Sequence, residues 1–244
     1  MSDGKLLRPD ELKQRLLDIG HERYHHKHPF HLLMHEGKLA REQLQAWALN
    51  RYYYQSRIPI KDAIILSRST DASFRRAWLK RILDHDGAGD GPGGIEKWIR
   101  LAEATGLDRR EVVSERRILP GVRYAVDAYL DLVSHRTLLE AVASSLTELF
   151  SRDLISLRID ALRQYYPWLE SGLTYFTARL SQAPEDAAFA LDYVTRNAAN
   201  REQQESVIAA LRSKCDILWA QLDAIYFAYV TPGWCPPAVL ASAV

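Results

Sequence analysis

The sequence predicts an all-α protein, a compact bundle of about seven helices, on three observations. Apolar residues recur at three- and four-residue spacing through almost every segment, the period that lines one face of a helix. Runs of alternating Val, Ile and Thr, the mark of strands, are missing. Proline and glycine breakers cut the chain into helix-sized pieces joined by short connections, which favours antiparallel neighbours.

Taken in order, the first helix spans 10–27 and stops at His28-Pro29, because the residue before a proline is pushed away from helical backbone. The second, 41–57, ends at Ile58-Pro59, and the third, 60–83, runs into the glycine tract from Asp86 to Gly94. A fourth covers 94–105. Leu119-Pro120-Gly121 precedes a long helical stretch, 122–165, with a break near 135. Tyr166-Pro167 and Ala183-Pro184 bound the segment 168–181, followed by 185–199 and by 202–229, which ends at Thr231-Pro232-Gly233. The glycine tract follows no strand and lacks G-K-[ST], so it is expected to be a mobile connection or lid rather than a phosphate loop. One helical domain over 1–244 is expected, with the tail 231–244 reading as an extended arm through Pro236-Pro237.

With 244 residues and 47% hydrophobic content, the chain is large enough for a sizeable core. Its 32 basic and 31 acidic residues leave a formal charge of +1, no broad footprint for nucleic acid or an anionic membrane. The charged amino terminus resembles no targeting peptide, which points to the cytoplasm. Cys215 and Cys235 form neither a disulfide framework nor a zinc motif. The apolar stretch from Ile217 to Val230, interrupted by Asp223, is too short to span a bilayer and reads as a buried helix.

Six of the eight histidines crowd into His21, His25, His26, His28, His31 and His35. A carboxylate-bridged di-iron bundle wants two Glu-x-x-His pairs, and only Glu22 to His25 fits. His31 and His35 lie one turn apart with no acidic neighbour but Glu36. Metal binding is therefore disfavoured, and most of the six are expected to be solvated, with one facing a pocket.

Polar residues also punctuate otherwise apolar faces at four-residue intervals, which directs both members of a pair to one side of a helix. Arg51 with Gln55, Arg81 with His85, and Tyr175 with Arg179 are three such pairs; Glu148 and Arg158 come near one face of a long helix, and Lys214 interrupts the apolar set Leu211, Ile217 and Leu218. Any single pair reads equally as a surface charge or an intrahelical ion pair. Together they predict a pocket for a polyanionic, carboxylate-bearing molecule, since buried cations are costly unless an anion meets them. Tyr53, Tyr54, Tyr129 and Tyr175 supply either phenol donors and flat walls for an aromatic ligand or plain core packing.

The runs Asn50 to Asp62 (NRYYYQSRIPIKD), Arg81 to Gly87 (RILDHDG), Leu119 to Tyr129 (LPGVRYAVDAY) and Ala143 to Phe150 (ASSLTELF) closely resemble the pyrroloquinoline-quinone synthase family. Shorter matches at Tyr24-His25, Tyr166 to Trp168, Arg179 to Ala183 and Lys214 to Trp219 extend the likeness over nearly the whole chain. The resemblance implies a seven-helix fold related to haem oxygenases and thiaminase-like proteins, and a homodimer in contact with other proteins of the same biosynthesis. It implies the last step of pyrroloquinoline-quinone formation, ring closure and O2-dependent oxidation of a tricarboxylated quinone precursor, with no metal or organic redox cofactor.

By motif, Arg51, Gln55, Lys61, Arg81, Arg158 and Lys214 would grip carboxylates and quinone oxygens, Lys214 also serving catalysis, while His25, Tyr54, Tyr129 and Glu148 complete the walls. His85 resembles the family's proton-transfer residue, and its ordinary pKa suits a general base or acid. Tyr175 and Arg179 resemble members of the oxygen-handling group. Ile155 stands where many relatives carry a His of that group, a departure expected to leave activity intact. A metal-dependent oxidase on the same scaffold and a non-enzymatic helical binding protein are the alternatives. A thiaminase-like reading needs Cys215 in the pocket, and its place beside Lys214 argues against that.

Overall fold

The computed structural model describes residues 5–89 and 91–231; Cys235 and all but the first residue of the proposed 231–244 arm lie outside them. Eleven α-helices occur among the described residues. They are α1 (Pro9–Arg23), α2 (Pro29–His35), α3 (Arg41–Ser67), α4 (Ala72–Asp86), α5 (Gly94–Ala104) and α6 (Arg109–Ser114), then α7 (Pro120–His135), α8 (Leu138–Ala143), α9 (Ser151–Tyr165), α10 (Thr174–Asn197) and α11 (Arg201–Tyr229). Short 3-10 segments at Ser144–Phe150 and Pro167–Gly172 join the later helices.

The all-α reading holds, and the helix count exceeds about seven for local reasons. Short helices α2 and α6 follow caps that satisfy their first free N–H groups: His28 Nδ1 accepts from Phe30 N at 3.0 Å, and Asp108 accepts from Arg110 N at 2.7 Å. The stretch expected as 122–165 divides where Thr137 and Glu140 cap each other's backbone reciprocally.

Two prolines do not break helices. Pro59 lies inside α3 and Pro184 inside α10. Each removes one helical hydrogen bond, but packing of the flanking turns holds the axis together. The real stop after α3 is at residues 68–71, where Asp71 accepts from Ser73 N at 2.8 Å and starts α4.

α3 is the central helix, packed on α4, α5 and α7, while α11 lies along α1, α7 and α8. Trp47, Trp78 and Trp98 are fully buried in the core between these elements. Trp98 Nε1 donates to Ala48 O at 2.9 Å, so its one polar atom is satisfied. Buried Asn50 receives Leu119 N on its side-chain oxygen at 2.8 Å, which fastens the start of α7 to α3.

The glycine tract is an exception to the strand-free expectation. Gly87–Ala88 (β1) pairs antiparallel with Gly91–Pro92 (β2) in a minimal hairpin. Gly87 has φ 102°, and a Cβ at Gly93 would stand 2.3 Å from His85 O and Gly87 N. Only glycine lets the two backbones come this close, and the contact holds the C-terminal end of α4, which carries His85.

Candidate active site

A cavity of about 120 Å³ opens between α3, α5, α9, α10 and the 3-10 segment before α9. Nine of the thirteen residues expected to act on or bind the substrate line it: Arg51, Tyr54 and Gln55 from α3, His85 from α4, Tyr175 and Arg179 from α10, together with His25, Glu148 and Arg158. Lys61, Arg81, Tyr129 and Lys214 stand immediately behind this wall, each buried.

One side of the cavity is a closed network of ion pairs. Arg81 makes a two-pronged contact with Glu148 at 2.8 and 2.9 Å, and Arg179 reaches the same carboxylate at 3.0 Å. Asp186 lies 3.4 Å from Arg179 and 3.6 Å from Arg81. Lys61 Nζ sits 2.6 Å from Asp62, which also takes Arg81 at 3.4 Å. Three cations thus meet three carboxylates supplied by the protein. Burial pushes every carboxyl upward; at Asp62 the charges of Lys61 and Arg81 outweigh it, and at Glu148 those of Arg81, Arg179 and Lys61, so both stay below their ordinary range. At Asp186 burial and the Glu148 charge win, and its pKa is raised.

The other side has cations without carboxylates. Among the described residues Arg51 has one polar partner, Gln221 at 3.3 Å, and lies 3.9 Å above the Tyr54 ring. Among the described residues Arg158 hydrogen-bonds only His31, at 3.2 Å, and its Nε has no partner. Lys214 donates to Tyr54 OH at 2.9 Å and rests 3.2 Å from the Tyr129 ring centre. Burial, reinforced by Arg51, lowers Arg158 to about 10 and Lys214 well below its usual value. An anion arriving here would offset the burial that disfavours charge on Arg158 and Lys214.

His85 bridges the two sides. Its Nδ1 lies 3.0 Å from Arg81 O, and burial with the nearby Arg179 charge lowers its pKa to about 4. Beside it Tyr175 OH donates to Gln55 Oε1 at 3.1 Å. Ile155 lines the same cavity.

Several expectations need correction. Lys61, Arg81 and Arg179 do not await an anion from outside, because Asp62, Glu148 and Asp186 neutralise them. Asp186 was hidden by reading Pro184 as a break: in a continuous α10 it falls two turns after Arg179, on the same face. Glu148 and Arg158 do not share one helix: Glu148 lies in the 3-10 segment Ser144–Phe150 and Arg158 in α9, and both line the cavity. Tyr53 turns away from the cavity and donates to Asp127 at 2.9 Å. Of the six clustered histidines, expected to be mostly solvated, His25, His28 and His31 are buried. His28 pairs with Asp223 at 3.0 Å, and His31 lines the cavity beside His25. Among the described residues no three His, Cys, Asp or Glu side chains come together as a metal would require. Cys215 is buried outside the cavity wall, its thiol pushed up to about 12 by burial, which leaves no thiolate nucleophile.

The sequence profile of the TENA/THI-4/PQQC family matches residues 13–224. The chain belongs to that family. Pyrroloquinoline-quinone synthase of Acidiphilium cryptum is 57% identical over 95% of both chains. The bifunctional coenzyme PQQ synthesis protein C/D of Methylorubrum extorquens is 54% identical over 97% of this chain, which spans 64% of that longer protein. A Shewanella denitrificans domain of unknown function, described as having a heme oxygenase-like fold, superposes with TM-score 0.75 at 13% identity, covering 91% of this chain and 93% of that one. The family fold therefore has the haem oxygenase-like arrangement expected from sequence. No helix of the described residues is long and apolar enough to cross a membrane.

Proposed function

We propose that the chain is a pyrroloquinoline-quinone synthase: it closes a ring in a tricarboxylated quinone precursor and oxidises the product with O2. The observation that carries this reading is the identity of 57% over 95% of both chains with a protein of that name, taken together with three cations, buried Arg158 and Lys214 and half-buried Arg51, that have no carboxylate of their own among the described residues. Arg51 and Arg158 in the cavity wall, with Lys214 behind it on Tyr54, are matched in number and charge to a tricarboxylate, and Tyr54 and Trp47 offer flat walls to its rings.

In this reading the ligand's carboxylates fix its orientation on the unpaired side and bring the reacting centre to His85. The His85 proton sits on Nδ1, held by Arg81 O, so Nε2 is free to take a proton from the substrate. The electron pair left behind passes to O2, which takes the proton held by His85 and a second proton lost by the substrate and leaves as H2O2, so the substrate gives up two electrons and two protons for each O2. The incoming negative charge raises the depressed His85 pKa and makes it a better base only once substrate is bound. Tyr175 and Arg179 supply a phenol and a guanidinium to reduced oxygen as charge develops there.

The substrate is its own redox centre, and no metal or organic cofactor takes part. A cytoplasmic homodimer that contacts other proteins of the same biosynthesis completes the proposal; the fused C/D arrangement in Methylorubrum extorquens supports such an association. The test is aerobic mixing with the precursor, following quinone absorbance and peroxide, before and after exhaustive chelation. Conversion at the same rate in both samples is expected, and no conversion, or conversion lost on chelation, refutes the reading.

A further inference from the structure

His31 is not explained by anion binding alone, and its hydrogen bonds fix the chemistry of its neighbour. His31 Nδ1 lies 2.9 Å from His25 O. A carbonyl oxygen only accepts, so this nitrogen carries the proton. His25 Nδ1, 3.0 Å from the same His31 nitrogen, must then present a lone pair. Arg158 lies 3.2 Å from both nitrogens of His31 and, having only donors, can serve Nε2 alone. All three bonds agree on one assignment.

The geometry points to His31 as a positioning residue that holds His25 as a neutral Nε2–H donor to the ligand, opposite His85, whose bond to Arg81 O leaves Nε2 as an acceptor. Two imidazoles of one cavity are thereby locked in opposite tautomers, one to give a hydrogen bond and one to receive a proton. The charged groups around His25 and His31 are Arg51, Arg158 and Lys214, with His26 and His35 on the same segment; no carboxylate is placed against either ring among the described residues. Burial first, then these cations, keep both rings well below the ordinary histidine pKa, so the neutral tautomer is the form that matters. A neutral donor at this point satisfies a carboxylate or quinone oxygen without adding a fourth cation to the unpaired side.

The use of His25 as a donor rests on the function proposed above, whereas the tautomer does not. The test is a two-bond proton–nitrogen correlation spectrum of the full chain labelled with 15N-histidine, without ligand at pH 7, with His25 and His85 assigned by single substitution. His25 protonated at Nε2 and His85 protonated at Nδ1 are expected. His31→Asn, whose side-chain amide can replace the Nδ1 donor, keeps the His25 signal pattern, whereas His31→Leu mixes the two His25 tautomers. With precursor, His31→Leu lowers kcat about tenfold with KM little changed, and His31→Asn restores most of it. A parent spectrum with His25 protonated at Nδ1 overturns the inference, as does a His31→Leu chain with the parent's His25 pattern. An inactive parent with the expected tautomers refutes the function and leaves the hydrogen-bond assignment standing.

Discussion

The two sides of the cavity contain the same kinds of cation and differ in what neutralises them. On one side Lys61, Arg81 and Arg179 are held by Asp62, Glu148 and Asp186; on the other Arg51, Arg158 and Lys214 meet only neutral partners among the described residues. The difference teaches that burying a cation serves two ends. The paired side is a finished wall whose Arg81 carbonyl holds His85, while the unpaired side carries an unmet electrostatic demand that a polyanion can satisfy. Stability and binding should separate along this line.

The largest effect is expected at Glu148→Gln, which strips Arg81 and Arg179 of their shared carboxylate. Leaving two buried guanidiniums undercompensated should cost about 3–5 kcal/mol of unfolding free energy, read by urea titration. A loss below about 1 kcal/mol would erase the distinction between the sides. Next is Lys214→Met. Removing a desolvated amine that has no counter-ion should leave stability unchanged or raise it, while affinity for the quinone product falls about 10–100-fold, the loss of one or two charge-assisted bonds.

Acid should then destabilise the fold in a defined window. His25, His31 and His85 are all neutral in the folded chain, with pKa values below the ordinary 6.5, His85 at about 4. The unfolded chain therefore binds more protons between these limits. The contribution is complete above about pH 6.5 and is lost as pH falls toward 4, by about 1.4 kcal/mol per group for each pH unit. A flat stability profile from pH 7 to 5 would contradict the neutral cluster. The smallest effect belongs to Ile155→His, which places a proton-active group in the wall. Stability and ligand affinity should change little, and the oxygen-dependent phase should accelerate by less than about tenfold in stopped-flow absorbance.

The helical class was legible because a 3.6-residue apolar period survives in nearly every segment, and the cavity residues because four-residue spacing and long family motifs converged on them. What could not be read was pairing between distant segments. Nothing local shows that Glu148 of a 3-10 turn reaches Arg81 of α4 and Arg179 of α10 at once. Pro59 and Pro184 misled because propensity argues from the local backbone, whereas packing on both faces keeps α3 and α10 continuous. His28 and His31 were invisible as buried residues since histidine hydropathy is neutral; local bonds to Phe30 N and His25 O satisfy one nitrogen of each ring, and Asp223 and Arg158, far away in sequence, satisfy the other.

The most direct test of the unpaired side as the polyanion seat is calorimetric titration of pyrroloquinoline quinone into the parent chain and Arg158→Met, with unfolding free energies measured in parallel. Affinity reduced about 10–100-fold in the variant, with stability unchanged to within about 1 kcal/mol, is the expected result. Equal affinity in the two chains would contradict the assignment.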